Sequence, residues 1–392
     1  MSNQQTKLTI DYTLIFLVII LMGMSVFTLY TVTPFLPAKY ADINFPFKQF
    51  LWYIIGGILI FLIMLLDYDR FRKITWIIYA VGILPLLMIF FRFPGSLMVE
   101  FNNIVRGISF PLLGNIQPAE FFKIVYILVV AHVMVSHNQK YLRRTAKSDL
   151  WFLLKIALLA VLPMGMIGIQ PDLGSVLVLV SITACMILVS GIRWRIIGSV
   201  FLAAIAGIGL TIAAWAFLPS KISTFLEDSV FKHVTGRFYG WLYPDQYLGS
   251  GHQVKRSMSA IGSGQLSGKG MSQIEVSVPE KHTDMIFSAI GEQFGFIGVS
   301  ILLLVYFLLI YRLLHIALSS NDMYGSYLVT GVIGMFTYQI FQNIGMSIQL
   351  LPITGLPLPF LSYGGSSVLT CMLGIALALN VHSRTKTYMF GE

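Results

Sequence analysis

Residues 278–311 read VPEKHTDMIFSAIGEQFGFIGVSILLLVYFLLIY. Glu280, Lys281, His282 and Asp284 crowd into five positions, and the chain then runs from Asp284 into an apolar stretch ending near residue 311. About 20 apolar residues suffice to cross a hydrocarbon core as a helix. The stretch therefore reads as a membrane span with its densest mixed charge at the lip.

Working outward, nine more such runs appear, at about 12–33, 49–66, 75–91, 118–136, 150–169, 173–191, 194–217, 324–348 and 364–381. The composition agrees, with 56% hydrophobic and 11% charged residues and a mean hydropathy of +0.79. Soluble domains carry about 25% charged residues. The expected fold is all-α, a polytopic membrane protein of about ten transmembrane helices with one long extracytoplasmic loop, 218–283, between the seventh and eighth. Short alternating segments, the mark of a β-barrel, are missing. The whole of 1–392 reads as one membrane domain. The first span has no small-residue cleavage site after it and is expected to be a retained anchor.

Lys and Arg set the orientation, because short cytoplasmic loops are enriched in them. With the N-terminus inside, thirteen fall in cytoplasmic segments: Lys7, Arg70, Arg72, Lys73, Lys140, Arg143, Arg144, Lys147, Arg193, Arg195, Arg312, Arg384 and Lys386. Four fall in short outer loops: Lys39, Lys48, Arg92 and Arg106. Both termini are expected in the cytoplasm and the long loop outside. The net charge of +9 is mostly this bias, which argues against a nucleic-acid partner. Cys185 and Cys371 both lie in expected spans, so no disulfide braces the outer loop.

The unusual residues gather on the outer side, in FNNIVRG (101–107), QPDLGS (170–175), AIGSGQLSGKG (260–270), PEKHTD (279–284) and LPITGLPLPFLSYGGSS (351–367). The prolines and glycines of the last segment break a helix near membrane depth. Such a break is tolerated only where it is buried in protein or lines a cavity, so a cavity opening outward is expected.

Glu120 and Lys123 stand at i and i+3 near the start of span four, on one helix face. An ionisable side chain at mid-membrane is expensive, and opposite signs point to mutual pairing, either to orient helices or to support the cavity. Lys155 reads as snorkelling to the interface and His132 as an interior histidine. The glycine run is not a phosphate loop of the Walker type, since Ser263 takes the first glycine position and Gly270 follows Lys269. Gly262, Gly264, Gly268 and Gly270 read as backbone that bends tightly and can approach a ligand closely, or as a merely flexible loop.

Four stretches carry a resemblance that covers nearly the whole chain: RFYGWLYPDQYLGSGHQVKRSMSAIGSGQLSGKG through VPEKHTDMIFSAIGEQFGFIG, NIQPAEFFK, QPDLGS, and NIGMSIQLLPITGLPLPFLSYGGSS. Together they resemble the SEDS family (shape, elongation, division and sporulation). The PLP of TGLPLPFLSYGG is more like the RodA branch than the FtsW branch. One departure stands out: after the arginine matching Arg106 the family usually has tryptophan, and here it is Gly107.

The resemblance implies a ten-span peptidoglycan glycosyltransferase. It would polymerise lipid II, the undecaprenyl-pyrophosphate-linked disaccharide peptide, beside a class B penicillin-binding protein. Asp284 matches the aspartate the family is understood to require. Ser362 and Tyr363 of the matched SYGG are carried as substrate contacts, and Arg106 and Asp172 as supporting residues.

The chemistry can be argued beside the resemblance. A β-1,4 link made from an α-linked lipid pyrophosphate is an inverting displacement by a sugar hydroxyl. Glycoside hydrolases need an acid as well as a base because an alkoxide leaves poorly, whereas pyrophosphate leaves well unaided. One carboxylate as general base then suffices, with cations or a divalent metal (Mg or Mn) balancing the departing charge. Asp284 suits the base, with Thr283 as the expected N-cap and the helix dipole favouring the ionised form.

Arg237, Lys255, Arg256, Lys269 and Lys281 are the cationic candidates for the pyrophosphate. The competing reading is of loop cations that only attract anionic headgroups. Glu280 and His282 flank the base, either tuning it or forming a solvated loop. Glu292, two turns on, either lines the cavity or pairs with a neighbour. A lipid II flippase or another lipid-linked substrate transporter is the alternative function, but a flippase should carry charge through both leaflets. A secondary transporter should show matched broken helices, and only one break, in PITGLPLPF, is legible.

Overall fold

The computed structural model describes residues 9–101, 104–110, 114–217, 232–246 and 249–385. Lys7, Lys386 and residues 218–231 of the expected long loop lie outside the described residues. Each of the ten expected spans is a helix: α1 Tyr12–Val32, α2 Phe45–Leu65, α4 Thr75–Phe91, α5 Pro118–Lys140, α6 Ala146–Ile169, α7 Leu173–Val189, α8 Trp194–Phe217, α11 Ile286–Ser319, α12 Met323–Ser347 and α13 Gly365–Arg384. The short helices α3 (Tyr68–Lys73), α9 (Lys232–Leu242) and α10 (Ser250–Ser263) lie between spans. Six of the ten, α1, α2, α5, α6, α11 and α13, are long and apolar enough on their own to cross a membrane. The chain is a multi-pass membrane protein.

Local chemistry sets several helix starts. Asp11 caps α1 by accepting the Leu14 amide at 3.0 Å, and Asp172 caps α7 through the Ser175 amide at 3.1 Å. Thr145 and Ser148 form a reciprocal capping box at α6, satisfying amides that a helix start leaves unpaired. α5, α12 and α13 form the centre, packed on one another, with α7 against α12 and α2 against α13. α2 turns Ile54, Ile58, Phe61 and Leu65 outward, as a lipid-facing helix must.

Two features depart from expectation. The outer segment around FNNIVRG is an antiparallel three-stranded sheet, β1 Met98–Phe101, β2 Ile104–Phe110 and β3 Gly114–Ile116, in the order β1-β2-β3. Gly107, where the resemblance puts tryptophan, pairs with Val99 in mid-β2. The second is a break within α11. Gly295 leaves helical geometry at φ 60° and ψ −159°, so the segment 348–364 is not the sole interruption. Both breaks fall in the C-terminal half, which is not the matched pair across two halves that a transporter with internal repeats shows.

The glycine run sits at the α11 break. The Lys269 and Gly270 amides donate to the Glu292 and Gln293 carbonyls, and the Phe296 and Ile297 amides donate to those of Gln265 and Leu266. The loop thus satisfies backbone groups that the break exposes, as buried polar backbone requires. A Cβ on Gly268, at φ +80°, would lie 2.1 Å from the Gln293 carbonyl oxygen, so only glycine fits there. Gly264 and Gly268 approach another part of the same chain closely, whereas a Cβ on Gly262 would meet nothing within 4 Å.

Candidate active site

The turn 280–285 sits immediately before α11. Glu280 takes a left-handed φ of 53°, and the Thr283 and Met285 amides both donate to its carbonyl. The tight turn delays the helix to Ile286, with Met285 at the N-cap position. Thr283 is therefore not the N-cap. Its hydroxyl donates instead to Glu280 and, at 3.4 Å, to Asp284 Oδ1.

Asp284 thus stands outside the membrane-spanning helix, and its carboxyl is pushed up to about 7. Burial is the largest cause, the Glu280 charge adds to it, and hydrogen bonds and Arg237 oppose it. Burial outweighs the expected dipole support for the ionised form. The outcome still suits a general base, whose best pKa lies near the working pH. Among the described residues Asp284 makes no ion pair.

The broken segment after α12 closes over this turn. Gly355, at φ +76°, lies so near that a Cβ there would be 3.8 Å from Asp284 Oδ2. Arg237 of α9 donates to the Thr354 carbonyl at 2.9 Å. Burial, and then Arg106, depress its pKa, while Asp172 and Asp284 raise it. One guanidinium therefore feels both carboxylates. Arg106 donates to the Gln170 and Pro171 carbonyls at 3.1 and 2.7 Å, tying the sheet to QPDLGS. Asp172 accepts from Gln117 at 3.1 Å and from the Ser175 hydroxyl at 2.8 Å. Arg106, Asp172, Arg237 and Asp284 are thus brought together at one end of the helix bundle.

Lys281 is buried, its ammonium 5.5 Å over the Phe35 ring and its pKa lowered by burial. It makes no ion pair among the described residues. His282 is buried against Phe45 at 4.7 Å and Tyr40 at 4.9 Å. Its pKa is lowered by burial, which favours the neutral ring. Tyr363 packs edge-on to Phe45 at 4.7 Å, and its amide donates to the His282 carbonyl.

The other candidates have local partners. Lys269 is held by Glu275 at 2.7 Å and Glu292 at 3.1 Å. Lys255 pairs with Asp245, and Arg256 donates to the Ser277 carbonyl. The Ser362 hydroxyl accepts the Leu358 amide and so shapes its own loop. Glu292 pairs with a neighbour and also accepts the Glu275 and Val276 amides at 2.9 and 3.0 Å. Glu120 and Lys123 pair at 2.6 Å, both buried. The described residues hold no cluster of three or more His, Cys, Asp or Glu fit for a metal ion.

Sequence reading missed Asn343, Gln117, Thr354 and Gly355. All four lie inside the motifs already quoted, and Asn343, the first residue of NIGMSIQLLPITGLPLPFLSYGGSS, is polar in an apolar span. Polarity at membrane depth was the available signal.

The family model described as "Cell cycle protein", covering FtsW, RodA and SpoVE, matches residues 12–387. The chain belongs to this family. It is 33% identical to stage V sporulation protein E of Bacillus subtilis, over 97% of this chain and 99% of that protein. It is 30% identical to the peptidoglycan glycosyltransferase RodA of Treponema pallidum, over 86% and 89%. Among solved structures, a chain from work on polymerization and crosslinking by a peptidoglycan synthase complex superposes with a TM-score of 0.76. It is 27% identical and covers 96% of this chain and 98% of that one.

Proposed function

We propose that the protein is a peptidoglycan glycosyltransferase that polymerises lipid II on the outer face of the cytoplasmic membrane, with both termini in the cytoplasm. Relatives of about this similarity over most of their length carry that activity in their names. The observation that carries the reading is Asp284: a carboxylate at the outer mouth, without an ion pair, with its pKa near neutrality.

The reaction balances as follows. A sugar hydroxyl oxygen of one chain attacks the anomeric carbon of another, the bond from that carbon to the pyrophosphate oxygen breaks, and the hydroxyl proton passes to Asp284. Undecaprenyl pyrophosphate leaves with the bonding pair. Arg237 and Lys281 are the cations we propose to meet its charge. A divalent cation, Mg or Mn, is proposed only as one arriving with the phosphates, since magnesium commonly binds through one or two carboxylates and substrate phosphate. Among the described residues no cluster of three or more His, Cys, Asp or Glu forms a resident metal centre.

The partner we propose is a class B penicillin-binding protein, and the service is wall elongation and cell shape, in line with the PLP signature of the RodA branch. The flippase alternative lacks support: charges that could line a path through both leaflets are engaged, Glu120 with Lys123 and Asp149 with Arg144 and Arg193. The test is polymerisation of purified lipid II by the purified protein, with and without the transpeptidase. Glycan chains are the expected product. Transfer of lipid II across vesicle membranes without chain growth would favour the transporter.

A further inference from the structure

Near the outer end of α12, Gln342 and Asn343 are consecutive, buried and polar. Gln342 donates to the Pro352 carbonyl at 2.9 Å. Asn343 is fully buried and uses both amide hydrogens: one reaches the Asp284 carbonyl at 2.7 Å, the other the Leu356 carbonyl at 2.8 Å. Because both partners are acceptors, the orientation of the amide is fixed by chemistry. Among the described residues its Oδ1 has no partner, a cost that buried acceptors seldom carry unanswered.

We propose that Asn343 is a positioning residue for glycosyl transfer: its amide spans the catalytic turn and the 352–356 loop, and so sets the Asp284 carboxylate at a fixed depth beneath Gly355. This inference rests on the reading of Asp284 as the base. The loop hangs from two supports, Gln342 and Asn343 on one side and Arg237, through the Thr354 carbonyl, on the other. Only Asn343 also holds the main chain of the base. With the clamp cut, loop and turn are free to separate, and water reaches the carboxylate.

A change in depth alters two observables that stability alone does not. Misplacing a catalytic group by about 1 Å costs on the order of 10²-fold in rate, so kcat falls while KM, set by cations elsewhere at the mouth, holds. Hydration also relieves the burial that raises Asp284. The charged groups acting on it are Glu280 on its own turn and Arg237 of α9, with Arg106 and Asp172 acting through Arg237. These remain in place, so the acid limb of the rate profile moves to lower pH.

The experiment measures lipid II polymerisation against substrate concentration and pH for wild type, Asn343→Leu, Asn343→Ser and Asp284→Asn, each normalised to folded protein in detergent. Leu keeps the branching at Cγ and Ser cannot overpack, so at least one tests the clamp if the other fails to fold. The expected result for a folded Asn343 variant is a kcat lower by about 10 to 100-fold, KM within a few-fold, and an acid limb at lower pH. Wild-type kcat per folded molecule with an unmoved limb would overturn the inference, leaving Asn343 a structural residue. Wild-type activity in Asp284→Asn would instead overturn the base, so the two failures can be told apart.

Discussion

The two ends of the helix bundle treat charge in opposite ways. At the end where α1 begins and α13 finishes, carboxylates are matched to arginines: Asp11 with Arg312 at 2.7 Å, Asp67 with Arg384 at 3.3 Å, and buried Asp149 with Arg144 and Arg193 at 3.5 and 3.8 Å. At the other end Lys269 pairs with Glu275 and Glu292 and Lys255 with Asp245, but Asp284 and Lys281 are left without ion pairs among the described residues. Burial is never cheap for a charge, so paired groups at one end read as fastening and unpaired groups at the other as chemistry. That other end also concentrates left-handed backbone, at Glu280, Gln349 and Phe360 among others. Such strain tends to gather at functional sites.

That contrast can be broken by substitution. The largest expected effect on stability is from Glu120→Ala, which leaves Lys123 buried and unpaired at a cost of about 3–5 kcal/mol, more than removing both residues together. Equal melting temperatures for the single and double variants in detergent would contradict pairing. Asp149→Ala, at the end of the arginine pairs, is expected to cost about 1.5–3 kcal/mol, read as a lower melting temperature with unchanged activity per folded molecule.

The outer carboxylate should behave with the opposite sign. Because the folded-state pKa of Asp284 is raised to about 7, above the unfolded value of about 3.9, its contribution to stability is full below about pH 4. It is lost as pH rises through about 7. Wild type should therefore lose melting temperature between pH 5 and pH 8 relative to Asp284→Asn. A constant difference between the two would mean that the carboxylate is solvated. The smallest effect is expected at the exposed pair Lys255–Asp245. Exposed pairs are worth about 0–1 kcal/mol, so Lys255→Ala should barely move the melting temperature.

Hydropathy made the ten spans legible, because crossing hydrocarbon leaves a chain little choice. The ion pair of Glu120 and Lys123 followed from helical spacing alone. The break at Gly295 was hidden because the flanking Phe294 and Phe296 keep the segment apolar, and the bonds that replace the helix come from a loop more than twenty residues away. The sheet at 98–116 escaped because its strands are only three to seven residues long. At Thr283 a good capping residue was overridden by the turn at Glu280. Lys269 reads as a free cation in sequence, yet its carboxylates come from positions 275 and 292. Long-range pairing of that kind has no local signature.

The central claim is that the unpaired carboxylate at the outer lip takes the proton. It is tested most directly by glycan synthesis from purified lipid II with matched folded amounts of wild type, Asp284→Asn and Asp284→Glu. Loss of a general base should slow Asp284→Asn by about 10² to 10⁴-fold, with lipid II binding retained and partial activity in Asp284→Glu. Polymerisation by Asp284→Asn at the wild-type rate would contradict it.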